Sequence, residues 1–147
     1  MTRDSFSTTL CEVTSELVFR PLPYEVDFTG FLSNTVAPRW MEALRVSLMD
    51  RHFPHFDNSA PEHLSVISET QVKYLTPIRY GDLILGRARV ESASYSRWVV
   101  AFAFARNDGG EEVLRGKQIG AFLHPRTFTP VRIPEAIRQS LAPRTIA

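Results

Sequence analysis

The chain of 147 residues is short of several things that would point to a function. It has one cysteine, Cys11, so no internal disulfide can form and no CxxC pair is available for zinc or redox chemistry. A catalytic thiol would need a base beside it, and nothing near Cys11 in the sequence supplies one. Charge of one sign is lacking as well. Seventeen Lys and Arg against sixteen Asp and Glu leave +1, with the basic residues dispersed, which argues against a dedicated nucleic-acid binder. No stretch approaches the roughly 18 continuous apolar residues of a membrane span. The opening MTRDSFSTTL has no apolar core of the signal-peptide kind, so the expected location is cytoplasmic. Linkers, repeats and low-complexity tracts are missing too, and the length fits one domain over 1–147.

What is present is enough apolar material for a core, 44% of residues with 11% aromatic. Residues 11–20 alternate, with Cys11, Val13, Leu17 and Phe19 on one side of a first strand that Pro21 and Pro23 end. From Val36 the period becomes four: Val36, Trp40, Leu44 and Leu48 form a stripe, widened by Ala37, Met41, Ala43 and Ser47. That pattern predicts a helix to about His52, wrapped by other structure. The remainder reads as strands. In 64–75, Leu64, Val66, Thr70, Val72 and Tyr74 are expected on one face. A turn at Tyr80-Gly81-Asp82 leads to 83–92, and 97–106 is apolar on both faces, as for a strand covered on both sides. NDGG at 107–110 is a hairpin signal before 112–124, and at most a short helix follows at 134–141. One helix cannot cover both faces of such a sheet. The pattern implies a curved antiparallel sheet around the helix, with a second copy covering the rest.

The segment Tyr24–Arg45 carries the chemistry. Asp27 lies among Tyr24, Val26, Phe28 and Phe31, and burial there would raise its pKa. Gly30 permits a tight turn, and the following helix start offers N–H groups to a developing negative charge. Taken alone, Asp27 reads equally as a turn or capping aspartate, and Asn34 as a helix cap.

Four motifs in order resemble the hotdog-fold acyl-CoA thioesterases of the 4-hydroxybenzoyl-CoA thioesterase type. Asp27-Phe28-Thr29-Gly30-Phe31-Leu32-Ser33-Asn34 matches the D-x-x-G signature, and Trp40, Glu42 and Arg45 match W-x-E-x-x-R. YLTPIRYGDLI at 74–84 and VRIPEAI near the end match two later segments. The resemblance implies an α+β hotdog fold, with a curved antiparallel sheet of five to six strands wrapped around one long central helix. It implies a homodimer or homotetramer with sites at the subunit interface, and hydrolysis of an acyl-CoA or acyl-carrier-protein thioester without a cofactor or metal. Asp27 would be base or nucleophile, Gly30 would allow close approach, and the Asn34 N–H at the helix start would polarise the carbonyl. Departures from the pattern are Phe31 where histidine is common, Ala37 where an aromatic residue is usual, and Pro38. Within a helix starting at Ser33, Pro38 would distort the first turn; otherwise the regular helix begins nearer Thr35.

Other candidates carry less. Arg115, Lys117, Arg126 and Arg132 are candidate contacts for coenzyme A phosphates, or a solvated basic face. Glu42 is the second carboxylate, read as structural. His52, His55, His63 and His124 are scattered, and His52 and His55 with Asp57 lack a third ligand in any metal pattern. A hydratase or dehydratase on the same fold, and a non-catalytic acyl-CoA binder, are the alternatives to hydrolysis. No histidine lies in 24–45 to serve the former.

Overall fold

The computed structural model describes residues 13–141 apart from 58, 60, 61 and 109; Cys11 lies outside the described residues. Strand β1 (Thr14–Phe19) leads through a 3-10 turn (Pro23–Glu25) to helix α1 (Ala37–His52). Four strands follow: β2 (Leu64–Tyr74), β3 (Ile84–Ala93), β4 (Arg97–Arg106) and β5 (Glu112–Leu123). A short helix α2 (Glu135–Arg138) closes the described chain. All neighbouring strands run antiparallel in one sheet, in the order β1-β3-β4-β5-β2. This is the hotdog arrangement that the resemblance implied.

The helix packs one stripe onto one face of the sheet. Ala37, Trp40, Met41, Leu44 and Leu48 are buried, while Arg39, Glu42, Ala43 and Asp50 face water. The stripe is therefore narrower than the sequence pattern implied, with Ala43 on the solvent side. Opposite it, Phe102 and Phe104 of β4 and Leu114 of β5 are buried. Three rings converge where α1 meets β1 and β4. Phe19 stacks on Trp40 at 4.8 Å between centroids, and Phe104 lies 5.9 Å from Phe19 and 6.0 Å from Trp40. Gly86 of β3 makes the space: a Cβ there would sit 2.7 Å from Phe19, 2.9 Å from Phe104 and 3.0 Å from Leu44.

Two strands differ from their sequence reading. In β2 the register against β5 shifts between Ile67 and Glu69. The extra residue of this bulge turns the alternation over, so Leu64 and Val66 lie on the opposite face from Thr70, Val72 and Tyr74. In β4, Trp98, Val100, Phe102 and Phe104 face the helix as expected. Ala103 on the other face is exposed, and Ala101 and Ala105 are half-buried. The described chain thus covers β4 on one side only, because its single long helix lies on that side.

At Gly86 the three neighbours hold one another in place and cannot all give way. Gly86→Ala is expected to lower the unfolding free energy by about 1–3 kcal/mol, the usual cost of overpacking a core. Ala103→Ser, on the outer face, should stay within about 0.5 kcal/mol. Urea unfolding of the two variants checks the contrast.

Candidate active site

The turn that carries Asp27 is built by its own side chain. Asp27 Oδ1 accepts the Thr29 N–H at 2.9 Å and the Thr29 hydroxyl, and the Asp27 carbonyl accepts the Gly30 N–H at 3.0 Å. Gly30 takes φ +89°, a left-handed conformation that glycine adopts without strain. The Asp27 N–H donates to Phe31 O at 2.9 Å, which lets Val26 and Leu32 pair on either side. This small loop is then fastened to the segment before β3. Leu32 N–H donates to Ile78 O at 2.7 Å, and Phe31 pairs with Arg79 across an isolated bridge.

Asp27 is exposed, not buried as its apolar neighbours suggested. Phe28 is wholly exposed and Tyr24 is 78% exposed, so neither screens the carboxylate from water within one chain. Its pKa consequently moves down rather than up. The Thr29 hydroxyl is the main cause, followed by the Thr29 N–H, and both stabilise the ionised form.

Pro38 settles where the helix starts. Regular helix begins at Ala37, so Pro38 falls in the first turn, where its missing N–H has no helical partner to lose. Residues 34–36 form a turn ahead of it, with the Val36 N–H donating to Ser33 O at 3.1 Å. Asn34 therefore precedes the helix by three residues rather than opening it. Its carbonyl accepts the Tyr74 hydroxyl at 2.8 Å, which anchors this turn to the end of β2. Among the described residues the Asn34 N–H has no hydrogen-bond partner.

Asp27 and Asn34 open into one cleft of about 280 Å³, walled also by Thr29, Phe31, Tyr74 and Ile78. Gly30 shapes the turn but is not part of the wall. In the sequence, Tyr74 and Ile78 stand out only as parts of a motif, without a role. A cation stands beside the cleft at Arg79, whose guanidinium lies 5.1 Å from the centre of the Phe31 ring. It is invisible to a sequence reading because no spacing ties it to Phe31; only the bridge between their segments does.

The structure does not bring the other candidates to this cleft. Arg115 and Lys117 alternate with the helix-facing residues of β5, so they project from the sheet's outer face. Arg115 pairs with Glu112 at 2.5 Å and Lys117 with Glu91 at 3.3 Å. Arg126 is exposed in the turn after β5, its N–H bonded to His124 Nδ1 at 3.2 Å. Glu42 sits on the solvent side of α1. His52 is engaged through Nε2 with the Thr14 backbone, 2.7 Å from its carbonyl oxygen.

This fold and cleft define a class, and comparison with known proteins gives the family. Residues 21–141 match the family described as the thioesterase-like superfamily, and the chain belongs to it. An acyl-acyl carrier protein thioesterase, ATL3, chloroplastic, of Arabidopsis thaliana is 28% identical over 124 residues, 84% of this chain. The match spans 65% of that plant protein, so the chain corresponds to only part of its length. Among solved structures, Slr0204, a 1,4-dihydroxy-2-naphthoyl-CoA thioesterase from Synechocystis, superposes with TM-score 0.80 at 11% identity, over 87% of this chain and 95% of that one. A thioesterase complexed with coenzyme A and Zn from Thermus thermophilus gives 0.72 at 24% identity, over 86% and 90%. At these identities the superpositions establish the shared fold.

The Thr29 hydroxyl holds the Asp27 pKa below its ordinary value, so removing that hydroxyl should return it upward. Thr29→Val is expected to shift the Asp27 carboxyl titration to higher pH. An NMR pH titration of the Asp27 side chain reads it, and an unchanged midpoint would show that the hydroxyl is not the cause.

Proposed function

We propose that this chain hydrolyses acyl thioesters of coenzyme A or of an acyl carrier protein, with Asp27 as the reacting carboxylate. One observation carries the reading: Asp27, a carboxylate held toward its ionised form, and Asn34, whose backbone N–H has no partner among the described residues, line the same cleft. The N–H would polarise the thioester carbonyl and hold the oxyanion that forms on it. Asp27 would either take a proton from the water that adds to the carbonyl carbon, or add to it directly. In the first case the thiolate leaves and the free acid forms. In the second the thiolate leaves a mixed anhydride, which water then opens.

A carboxylate with a lowered pKa is a weak base, and in one chain Asp27 is solvated. We infer that a second copy and the bound substrate together remove that water. Desolvation would push the carboxyl back up toward a useful basicity. The wholly exposed Phe28 and the exposed Tyr24 flank Asp27, and β2 ends the sheet as an edge strand with Ile67 and Tyr74 open to solvent. Both features support a homodimer, with further pairing to a tetramer, and a site completed at the subunit interface. The reading treats 1–147 as one domain. Coenzyme A phosphates would meet Arg79 beside the cleft, while Arg115, Lys117 and Arg126 could serve only from another subunit.

Release of free thiol from a panel of aryl- and alkyl-CoA thioesters tests the proposal. Asp27→Asn should lower turnover by about 100-fold or more, the scale for losing a proton-transfer group. Glu42→Gln should stay within about twofold, since a solvent-facing carboxylate outside the cleft contributes little. Equal rates for wild type and Asp27→Asn would remove Asp27 from the chemistry. Binding of acyl-CoA without release would make the protein an acyl binder.

A further inference from the structure

A second cavity, of about 240 Å³, lies beneath the C-terminal half of α1 and shares no lining residue with the Asp27 cleft. Its walls are mostly apolar, with Leu48 and Phe53 from the helix end, Val100 and Phe122 from the sheet, and Ile133 and Ile137 from the chain after β5; Arg45, Asp50 and Ser65 are the polar members. A closed, wholly apolar cavity of about 150 Å³ accepts a benzene ring, and this larger one has room for a longer apolar body.

One cation stands at its edge. Arg45 is half-buried, and its hydrogen bond goes to a neutral group, the Gln118 side-chain oxygen. Gln118 is itself buried and oriented by Thr70, 3.5 Å from its amide nitrogen. Among the described residues no carboxylate forms an ion pair with Arg45; Glu42, one turn away on the same helix, acts on it only at longer range. Burial draws the Arg45 pKa down, the expected sign for a cation that has given up water without gaining a counter-charge. Arginine stays charged regardless, so a half-buried guanidinium beside an apolar cavity favours an anion with an apolar tail. Asp50, also in the lining, is exposed and forms no ion pair with Arg45 among the described residues.

The geometry points to a second binding site in this cavity, for a free medium-chain alkyl carboxylate, with Arg45 as the anchor for its charged end and the apolar walls for its tail. A thioester carbonyl is neutral and gains much less from a guanidinium than a carboxylate does, so the free acid is the better occupant. Arg45 lies roughly 12 Å along α1 from Ala37, at the usual rise per residue, so the site is separate from the cleft near the helix start. Its occupancy does not depend on Asp27 being catalytic.

Isothermal titration of the full chain with hexanoate, octanoate and octan-1-ol tests this directly. Octanoate is expected to bind about tenfold or more tighter than octan-1-ol, the scale of a hydrogen bond to a charged group. Each added methylene between hexanoate and octanoate should tighten binding by about fourfold. Arg45→Gln should bring octanoate down to the affinity of the alcohol, while Arg45→Lys recovers part of the difference. Val100→Trp, which fills the cavity, should abolish both. Asp27→Asn should bind octanoate as the wild type does, whatever that substitution does to thiol release. Equal binding of acid and alcohol to the wild type overturns the proposal without recourse to any variant. So does a lack of octanoate binding up to its solubility. Loss of binding in Asp27→Asn would place the carboxylate in the cleft and overturn it as well.

Discussion

The stacking of Phe19, Trp40 and Phe104 over Gly86 is the contact on which the geometry of the cleft depends. These rings join the first strand, the first turn of the helix and the central strand at one point, where glycine alone leaves enough room. Buried aromatic contacts of this kind add to area burial through their preferred tilts, so they fix orientation as well as distance. Trp40 is three residues into α1 and six beyond Asn34. Seating Trp40 therefore seats the turn at 34–36, and with it Asn34 in the wall of the cleft. Met41 and Leu44, fully buried one turn further along, extend the same seam without setting where it begins.

From that anchor the cleft is assembled by backbone more than by side chains. The Asp27 loop is closed by its own Asp27–Thr29 and Asp27–Phe31 bonds and sewn to Ile78 and Arg79, and the Asn34 turn is tied to Tyr74. Two segments far apart in sequence, 27–36 and 74–79, thus meet through hydrogen bonds. Such bonds are individually modest, about 1 kcal/mol each, but together they leave the loop little freedom to reposition Asp27. The carboxylate itself is left in water, and there the Thr29 hydroxyl and N–H favour its ionised form.

Much of this was legible in the residues. The period of four from Val36, the two-sided apolar run at 97–106 and the turn signals gave the element order. The D-x-x-G motif singled out Asp27 and Asn34, and the structure places both in the wall of one cleft. The failures share a cause: each depended on a contact between segments that no local pattern encodes. The bulge near Ser68 reversed one half of β2, because strict alternation assumes an unbroken register. The apolar sequence neighbours of Asp27 would raise its pKa only by burying it, but Tyr24 and Phe28 are open to solvent and do not cover it. Arg115 and Lys117 were chosen for charge alone; strand alternation sends them to the opposite face from the helix, away from the cleft of their own chain, which leaves their role in coenzyme A binding to another subunit. Pro38 was the reverse case: what looked like a fault in the helix marks its first turn.

The two cavities sit at opposite ends of one helix, which raises the question of whether a ligand in one would be felt in the other. Coupling between sites requires an element with two arrangements that each ligand favours differently. Between the cleft and the far cavity the helix is held by Trp40, Met41 and Leu44, all buried, in a seam packed closely enough that a Cβ on Gly86 would not fit. Sliding the helix would break the aromatic contacts and open a void, at a cost of several kcal/mol by analogy with truncated cores. That exceeds the roughly 1–3 kcal/mol of most allosteric couplings. A carboxylate bound at Arg45 would therefore leave the Asn34 turn where it is, and the two ends of the helix would work as independent sites on one rigid support.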